Sequence, residues 1–427
     1  MNWLSRADVA PPERETLNTL RGAFGEHMNT QHAHLHHYVP QWYQRRFLKN
    51  GQSKYHYLDL HPETVTNNGM KYERRALRHW GPASCFYKDD LYTFKLGKWT
   101  TDEVEKGFFG AIDSSGRKAV QLFGDYNGYS DEVHEVFQAL PRYMDAQRFR
   151  TPRGLDQLKA LTDAPDHSRT LLAMQRVFQF HTTMWSEGVW EIARARQSST
   201  KFIVTDEPVT FFNRRVFPNE CAYPGEVELD LIGTRTLFPL GLDSCLIITH
   251  TQLVRNPRIN PTTSRVNARA YQQTFRCLLG TQFGRELEED EVLRINFILK
   301  KRATRYIAAA EEEWLYPERR ASTTDWSKLD DDWFLFPHLC KVRFTSGIMA
   351  GFRDGSSFAA DEYGRHPSNP KYQDEKRRQE EWETHLWAQR EWAKKRSERS
   401  VAHVDEDDEV GDTMMQDYLS GKNGLDD

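Results

Sequence analysis

The stretch KFIVTDEPVTFFN, Lys201–Asn213, is dense in β-branched and aromatic residues and is interrupted once, by Pro208. Such side chains favour the pleated strand, and a proline offers no N–H to a ladder and breaks it. The stretch therefore reads as strand, break and strand. RTLFPLGLDSCLIITH, Arg235–His250, has the same texture and its own proline, Pro239. Upstream, the period is that of a helix instead. From about His167 to Ala195, residues Leu171, Met174, Val177, Phe178, His181, Trp185 and Ile192 form one apolar stripe, which predicts a long helix. Downstream, Asp290 to Ala310 returns to helical spacing with Leu293, Phe297, Ile298 and Tyr306.

Working outward, KYHYLDL alternates like a strand from Lys54 to Leu60 and is followed by a turn signal at Asn67-Asn68-Gly69. DDLYTFKLG reads as another short strand. Thr100 followed by Glu103 has the spacing of a capping box, and behind it Val104, Phe108, Ile112, Ala119 and Leu122 share a helical face. A second helix is expected near Ser130, carrying Val133, Val136, Phe137, Leu140 and Met144, with Pro141 kinking or breaking it. RFRTPRG, Arg148–Gly154, reads as a junction before the long helix.

Past residue 320, CKVRFTSGIMAGFRDGSSFAADEYG suggests a hairpin turning at Asp354-Gly355. KYQDEKRRQEEWETHLWAQREWAKKRSER follows as a highly charged helix, a candidate surface for a protein partner. The expected fold class is α+β: a mainly helical middle packed with short antiparallel strands, plus a C-terminal hairpin and charged helix. The expected organisation is a flexible N-terminal arm (1–30), a main α+β domain (31–320), the hairpin and helix extension (321–400) and a disordered acidic tail (401–427).

The 427 residues carry 38% hydrophobic and 12% aromatic side chains, enough for a sizeable core. A net charge of -4 gives no global attraction for nucleic acid, so any such contact must come from a local patch. Five scattered cysteines, with no Cys-x-x-Cys pair, argue against a disulfide framework or a zinc ribbon. No apolar run is long enough for a signal peptide or a membrane span, and the expected location is cytoplasmic, with no membrane partner. No Gly-x-x-x-x-Gly-Lys, Gly-x-Gly-x-x-Gly or Gly-x-Ser-x-Gly occurs, which speaks against a P-loop ATPase, a Rossmann oxidoreductase and an α/β-hydrolase.

The densest chemistry lies in QHAHLHHYVPQWYQRRFL, Gln31–Leu48. Here His32, His34, His36 and His37 precede Pro40, which suits the first position of a helix. In that helix Trp42, Tyr43, Arg46 and Phe47 share a face, while Gln44 and Arg45 point outward. Three chemical readings stand beside a structural one in which the histidines fix the helix entry. His36 or His37 with Asp206 provides imidazole and carboxylate for a divalent metal. A His-Asn-His nuclease would need an Asn and a second His in the right context, and His56 lies in a strand-like segment instead. Finally, a helix start flanked by His36, His37, Arg45 and Arg46 would attract an anion.

HHYVPQWYQRRF followed by KYHYLDL resembles the opening of the family called domain of unknown function 4238. FIVTDEPVTFFN resembles its second motif, a strand ending in Thr/Ser-Asp-x-Pro-Val. LFPLGLDSCLIIT is similar to the strand that follows, INFILKKRATRYIAA to the family's last helix, and RFRTPR to a mid-chain element. The likeness covers roughly residues 34 to 310. It departs at Glu207, where Asn is common, and at Gly241, where a hydroxyl residue is common. The resemblance implies that His36, His37, Pro40, Gln41, Asp206, Pro208 and Asn296 fall in defining motifs, and it carries no activity with it.

The functional expectation is a metal- or His-dependent hydrolase or nuclease acting on a phosphate-containing substrate. In it His36, His37 and Asp206 are catalytic, His37 and Asp206 hold a divalent metal ion, and Gln41, Arg46 and Asn296 bind substrate. The alternative is a non-enzymatic module that binds a nucleotide, a nucleic acid or a protein through the same pocket.

Overall fold

A computed structural model describes residues 35–330 apart from 68–69, 97–98, 102–103, 129, 178–180, 187, 256–258 and 266–280, together with 348–351, 357–360, 368, 370 and 373. The expected arm and acidic tail, the charged helix apart from Gln373, and His32 and His34 lie outside the described residues. Within these bounds the chain is α+β, as its alternation of helix-period and strand-period segments requires.

Two sheets carry the fold. The first has four antiparallel strands in the order Val204–Thr205, Tyr306–Ala309, Tyr55–Asp59 and Leu77–Trp80. The second has five, in the order Thr210–Phe212, Arg235–Gly241, Ser244–Thr249, Val189–Arg194 and Gln282–Glu286, antiparallel except for the last pair. Lys201–Asn213 thus supplies a strand to each sheet. Asp206, Glu207, Pro208 and Val209 are the link that carries the chain from one sheet to the other. Pro239 does not interrupt its strand; the ladder absorbs it as an irregularity between Pro239 and Gly241.

The expected long helix from His167 to Ala195 is corrected. The described helical parts are His167–Val177 and Thr182–Ser186, and Val189–Arg194 is a strand buried on both faces between two neighbours. A strand covered on both faces loses polar alternation, so its apolar run mimics the next turn of a helix. Gly188 makes the change of direction: a Cβ there would stand 2.6 Å from Ile248 Cγ2. Gly188→Ala is expected to destabilise the protein by about 1–3 kcal/mol through overpacking; chemical denaturation would show it as an earlier midpoint with an unchanged slope.

The helix expected behind Thr100 is present as Gly110–Gly124, but its buried face is Gly116, Ala119, Val120 and Phe123. A π turn at Val104–Phe109 precedes it, and its extra residue rotates the following face. Thr100 itself lies in the strand Trp99–Thr101. The second helix breaks as expected, into Asp131–Val136 and Ala139–Phe149, with the Ser130 hydroxyl accepting the Val133 N–H at 3.2 Å. The junction at Arg148–Gly154 is a helix-to-helix turn, capped by Thr151 and restarted by Pro152. The last helix stops at Arg302, and Tyr306 belongs to a strand. Ile348–Gly351 and Ser357–Ala360 pair antiparallel; the expected turn at Asp354-Gly355 lies outside the described residues.

Candidate functional site

The helix that Pro40 begins is only Gln41–Gln44, followed by a 3-10 turn, Arg45–Phe47. So short a helix presents no sustained dipole to an anion. Its inward face is Tyr43, Gln44 and Phe47, with Tyr43 stacked on Phe238 at 5.5 Å. Gln44, expected outside, is inside: it donates to Val39 O at 2.7 Å and accepts from the Tyr55 hydroxyl. Arg46, expected to hold phosphate, donates its Nε to Leu240 O. A Cβ on Gly124 would collide with the Arg46 guanidinium, so this arginine fills a space between helix and sheet.

The two histidines separate. His36 is fully buried, stacked on Tyr92 at 5.3 Å, and its Nδ1 accepts the Tyr92 N–H at 2.9 Å. His37 is half-buried, with its Nε2 3.3 Å from Ala83 O and 3.5 Å from Gln41 Nε2. Gln41 Oε1 in turn accepts from Arg45. Burial lowers the His37 pKa, and the charges of Arg150 and Arg45 add to the effect. The ring is therefore neutral at physiological pH.

Asp206 is buried elsewhere and fully engaged. Its carboxylate accepts three consecutive backbone N–H groups, from Thr304 at 2.9 Å, Arg305 at 2.6 Å and Tyr306 at 2.9 Å. These are the residues between the end of the last helix and the start of its strand. Asp206 thereby turns the chain at that corner. Asn296 has a comparable task, donating to Lys201 O at 2.8 Å and accepting from Ile203 N at 3.3 Å. It pins the stretch that leads into the first sheet. Among the described residues, no group of three or more His, Cys, Asp or Glu is placed to hold a metal ion. The expected set of His36, His37 and Asp206 is not gathered into such a group. The member of the opening motif whose charge would reach the acidic corner is Tyr38, whose buried hydroxyl feels Asp206 and Glu207.

What the fold does assemble at the sheet-to-sheet link is a set of arginines that sequence reading passed over. Glu207, buried beside Asp206, lies within hydrogen-bonding distance of the Thr151 hydroxyl (3.2 Å) and the Thr304 hydroxyl (3.4 Å). Arg148 and Arg153, from the two ends of the RFRTPRG turn, and Arg302, from the end of the last helix, lie in its electrostatic reach. Arg148 and Arg302 both pair with Glu226, Arg302 at 3.1 Å. Arg148 also lies over the Phe211 ring, 4.1 Å from its centroid, and donates to Val209 O. Arg153 sits nearer the surface and donates to the carbonyls of Pro224 and Gly225.

Burial pushes both carboxyls up, and the Asp206 charge adds to the rise of Glu207, to about 7. Three N–H donors oppose the rise at Asp206, so the proton held near neutrality belongs on Glu207. With Glu207 protonated, the guanidinium groups of Arg148, Arg153 and Arg302 stand among the carboxylates of Asp206 and Glu226, with Asp145 also in reach of Arg148. A buried carboxyl that titrates near neutrality among arginines makes this cluster the candidate functional site. The only sequence signal was the arginine content of RFRTPRG and KKRATR; their convergence is a property of the fold.

A family model described as protein of unknown function (DUF4238) matches residues 35–313. The chain belongs to this family. The match spans both sheets, the Asp206–Glu207 link and all three arginines, so the DUF4238 region contains the whole candidate site. The strand pair at 348–360 lies beyond it. No curated protein and no solved structure matches this DUF4238 chain. No helix among the described residues is long and apolar enough to cross a membrane.

Proposed function

We propose that this DUF4238 protein is a hydrolase acting on a phosphate-containing substrate, with its site at Arg148, Arg153, Arg302 and Glu207. The observation that carries this reading is the convergence of three arginines on one buried, protonatable glutamate. Guanidinium groups match phosphate oxygens in planar, paired hydrogen bonds and stabilise the charge that develops in phosphoryl transfer. In the step proposed, the oxygen of a water molecule bonds to phosphorus while the ester P–O bond breaks. The departing alkoxide takes the proton of Glu207, which is poised for general acid work because it is still protonated near pH 7, and the attacking water gives up a proton that restores Glu207, leaving the alcohol and phosphate.

This reading moves the proposed chemistry from His36, His37 and Asp206 to the residues beside Asp206. It keeps the phosphate substrate class and leaves the histidines to hold the entry of the first helix. Glu226 already engages Arg148 and Arg302, so Arg153 is the cation with most capacity to spare. Calorimetric titration with inorganic phosphate tests the proposal. Arg153→Ala is expected to weaken binding by roughly tenfold or more, the value of one charge-assisted hydrogen bond. Equal binding by both proteins, or none by the wild type, would dismiss the site.

A further inference from the structure

Next to Arg153 stands a large aromatic side chain that the fold does not bury. Tyr223 is 56% exposed. It is nonetheless held in place: its hydroxyl donates to Asp156 at 2.5 Å, and the Arg153 guanidinium lies 5.9 Å from the ring centroid. Asp156 and Arg153 belong to one helix, Pro152–Thr162, whose first turn is anchored by Thr151. The ring is thus fixed at a set distance from the arginine group, with much of its surface open.

Arg153 has a donor to offer. It spends Nε and Nη2 on two carbonyls, and its Nη1 has no hydrogen-bond partner among the described residues. Arg148 stands behind it with its side chain only 5% exposed, and it adds positive charge to the site without offering a donor at the surface.

We infer that the ligand of this site is a nucleotide, its phosphate on Arg153 and its base stacked on Tyr223. The inference rests on the proposed anion site and adds the substrate class. A ring face beside a phosphate-binding arginine suits a nucleotide because every base has a flat π surface, whereas a simple sugar phosphate has none. Stacking of this kind tolerates different bases, so the preference should be for nucleotides as a class.

The test is calorimetric titration of the whole chain with inorganic phosphate, ribose 5-phosphate and the four ribonucleoside monophosphates. The monophosphates are expected to bind tighter than ribose 5-phosphate by on the order of tenfold or more. Tyr223→Ala should erase that difference while leaving phosphate binding intact. Tyr223→Phe, which removes only the hydroxyl bond to Asp156, should keep most of it. If phosphate and ribose 5-phosphate bind and the monophosphates gain nothing, the nucleotide inference falls and the anion site stands. If none of the probes binds, the underlying site falls with it. Protection of Cys221 from iodoacetamide by each probe, mapped by mass spectrometry, is a second readout. This half-buried free thiol neighbours Arg302 and Arg153, so an occupant of the site should slow its alkylation.

Discussion

Asp206→Ala should destabilise the protein by on the order of 3–5 kcal/mol, the largest single-residue loss expected in the described fold. The carboxylate receives three N–H groups from consecutive residues, all at 2.9 Å or less. Each is a charge-assisted bond made out of water, and an alanine leaves the three donors facing a gap. The corner they form joins the last helix to the strand Tyr306–Ala309, which lies between two partners in the four-stranded sheet. Loosening it should therefore propagate to the Val204–Thr205 and Tyr55–Asp59 strands on either side. Asp206→Asn keeps one oxygen acceptor and loses the charge, and its loss should be intermediate. The measurement is urea denaturation followed by tryptophan fluorescence. A shift of less than about 1 kcal/mol for the alanine variant would show that solvent or a neighbouring group replaces the carboxylate.

Asp206 also shows how far sequence carries such an argument. A carboxylate at the end of a strand, followed by a proline, was legible as a special residue. Its partners were not, because Thr304, Arg305 and Tyr306 lie about a hundred residues away and carry no pattern of their own. The same holds for Asn296 and its bonds to Lys201 and Ile203. Strands whose residue types alternate, such as Tyr55–Asp59, and capped helices, such as the one after Ser130, were readable because local chemistry determines them. Val189–Arg194 was not, since a strand covered on both sides and the next turn of a buried helix share one apolar signature. The histidine cluster drew attention through its chemistry, yet His36 is consumed by Tyr92 and His37 by the Ala83 carbonyl and Gln41. Arg148, Arg153 and Arg302 drew none, because surface loops are full of arginines and only the tertiary fold shows which ones turn inward.

Glu207→Gln should separate the structural role of the buried carboxyl pair from its chemical one. In the folded protein Glu207 holds its proton to about pH 7, whereas an unfolded glutamate releases it near its ordinary value of 4.5. Between these values the native state binds more protons than the unfolded state, so wild-type stability falls as pH rises. It is fully present below the unfolded value and lost through the folded one. Glutamine has no proton to lose, and the variant should be flatter between about pH 5 and pH 8 and more stable at the upper end, by about 1–3 kcal/mol. Thr151 faces one oxygen of Glu207 and Thr304 the other; the glutamine amide keeps the size, accepts from one hydroxyl and donates to the other, so the fold should survive. Phosphate binding should survive too, since the arginines are untouched and no carboxylate charge opposes the anion. Turnover of phosphate esters, however, should fall by about 10²–10⁴-fold, the usual worth of a positioned proton donor. Flattened stability with unchanged turnover would leave Glu207 as a buried partner of the arginines and remove the catalytic role proposed for it. Loss of turnover with phosphate binding retained would assign the proton transfer to this carboxyl.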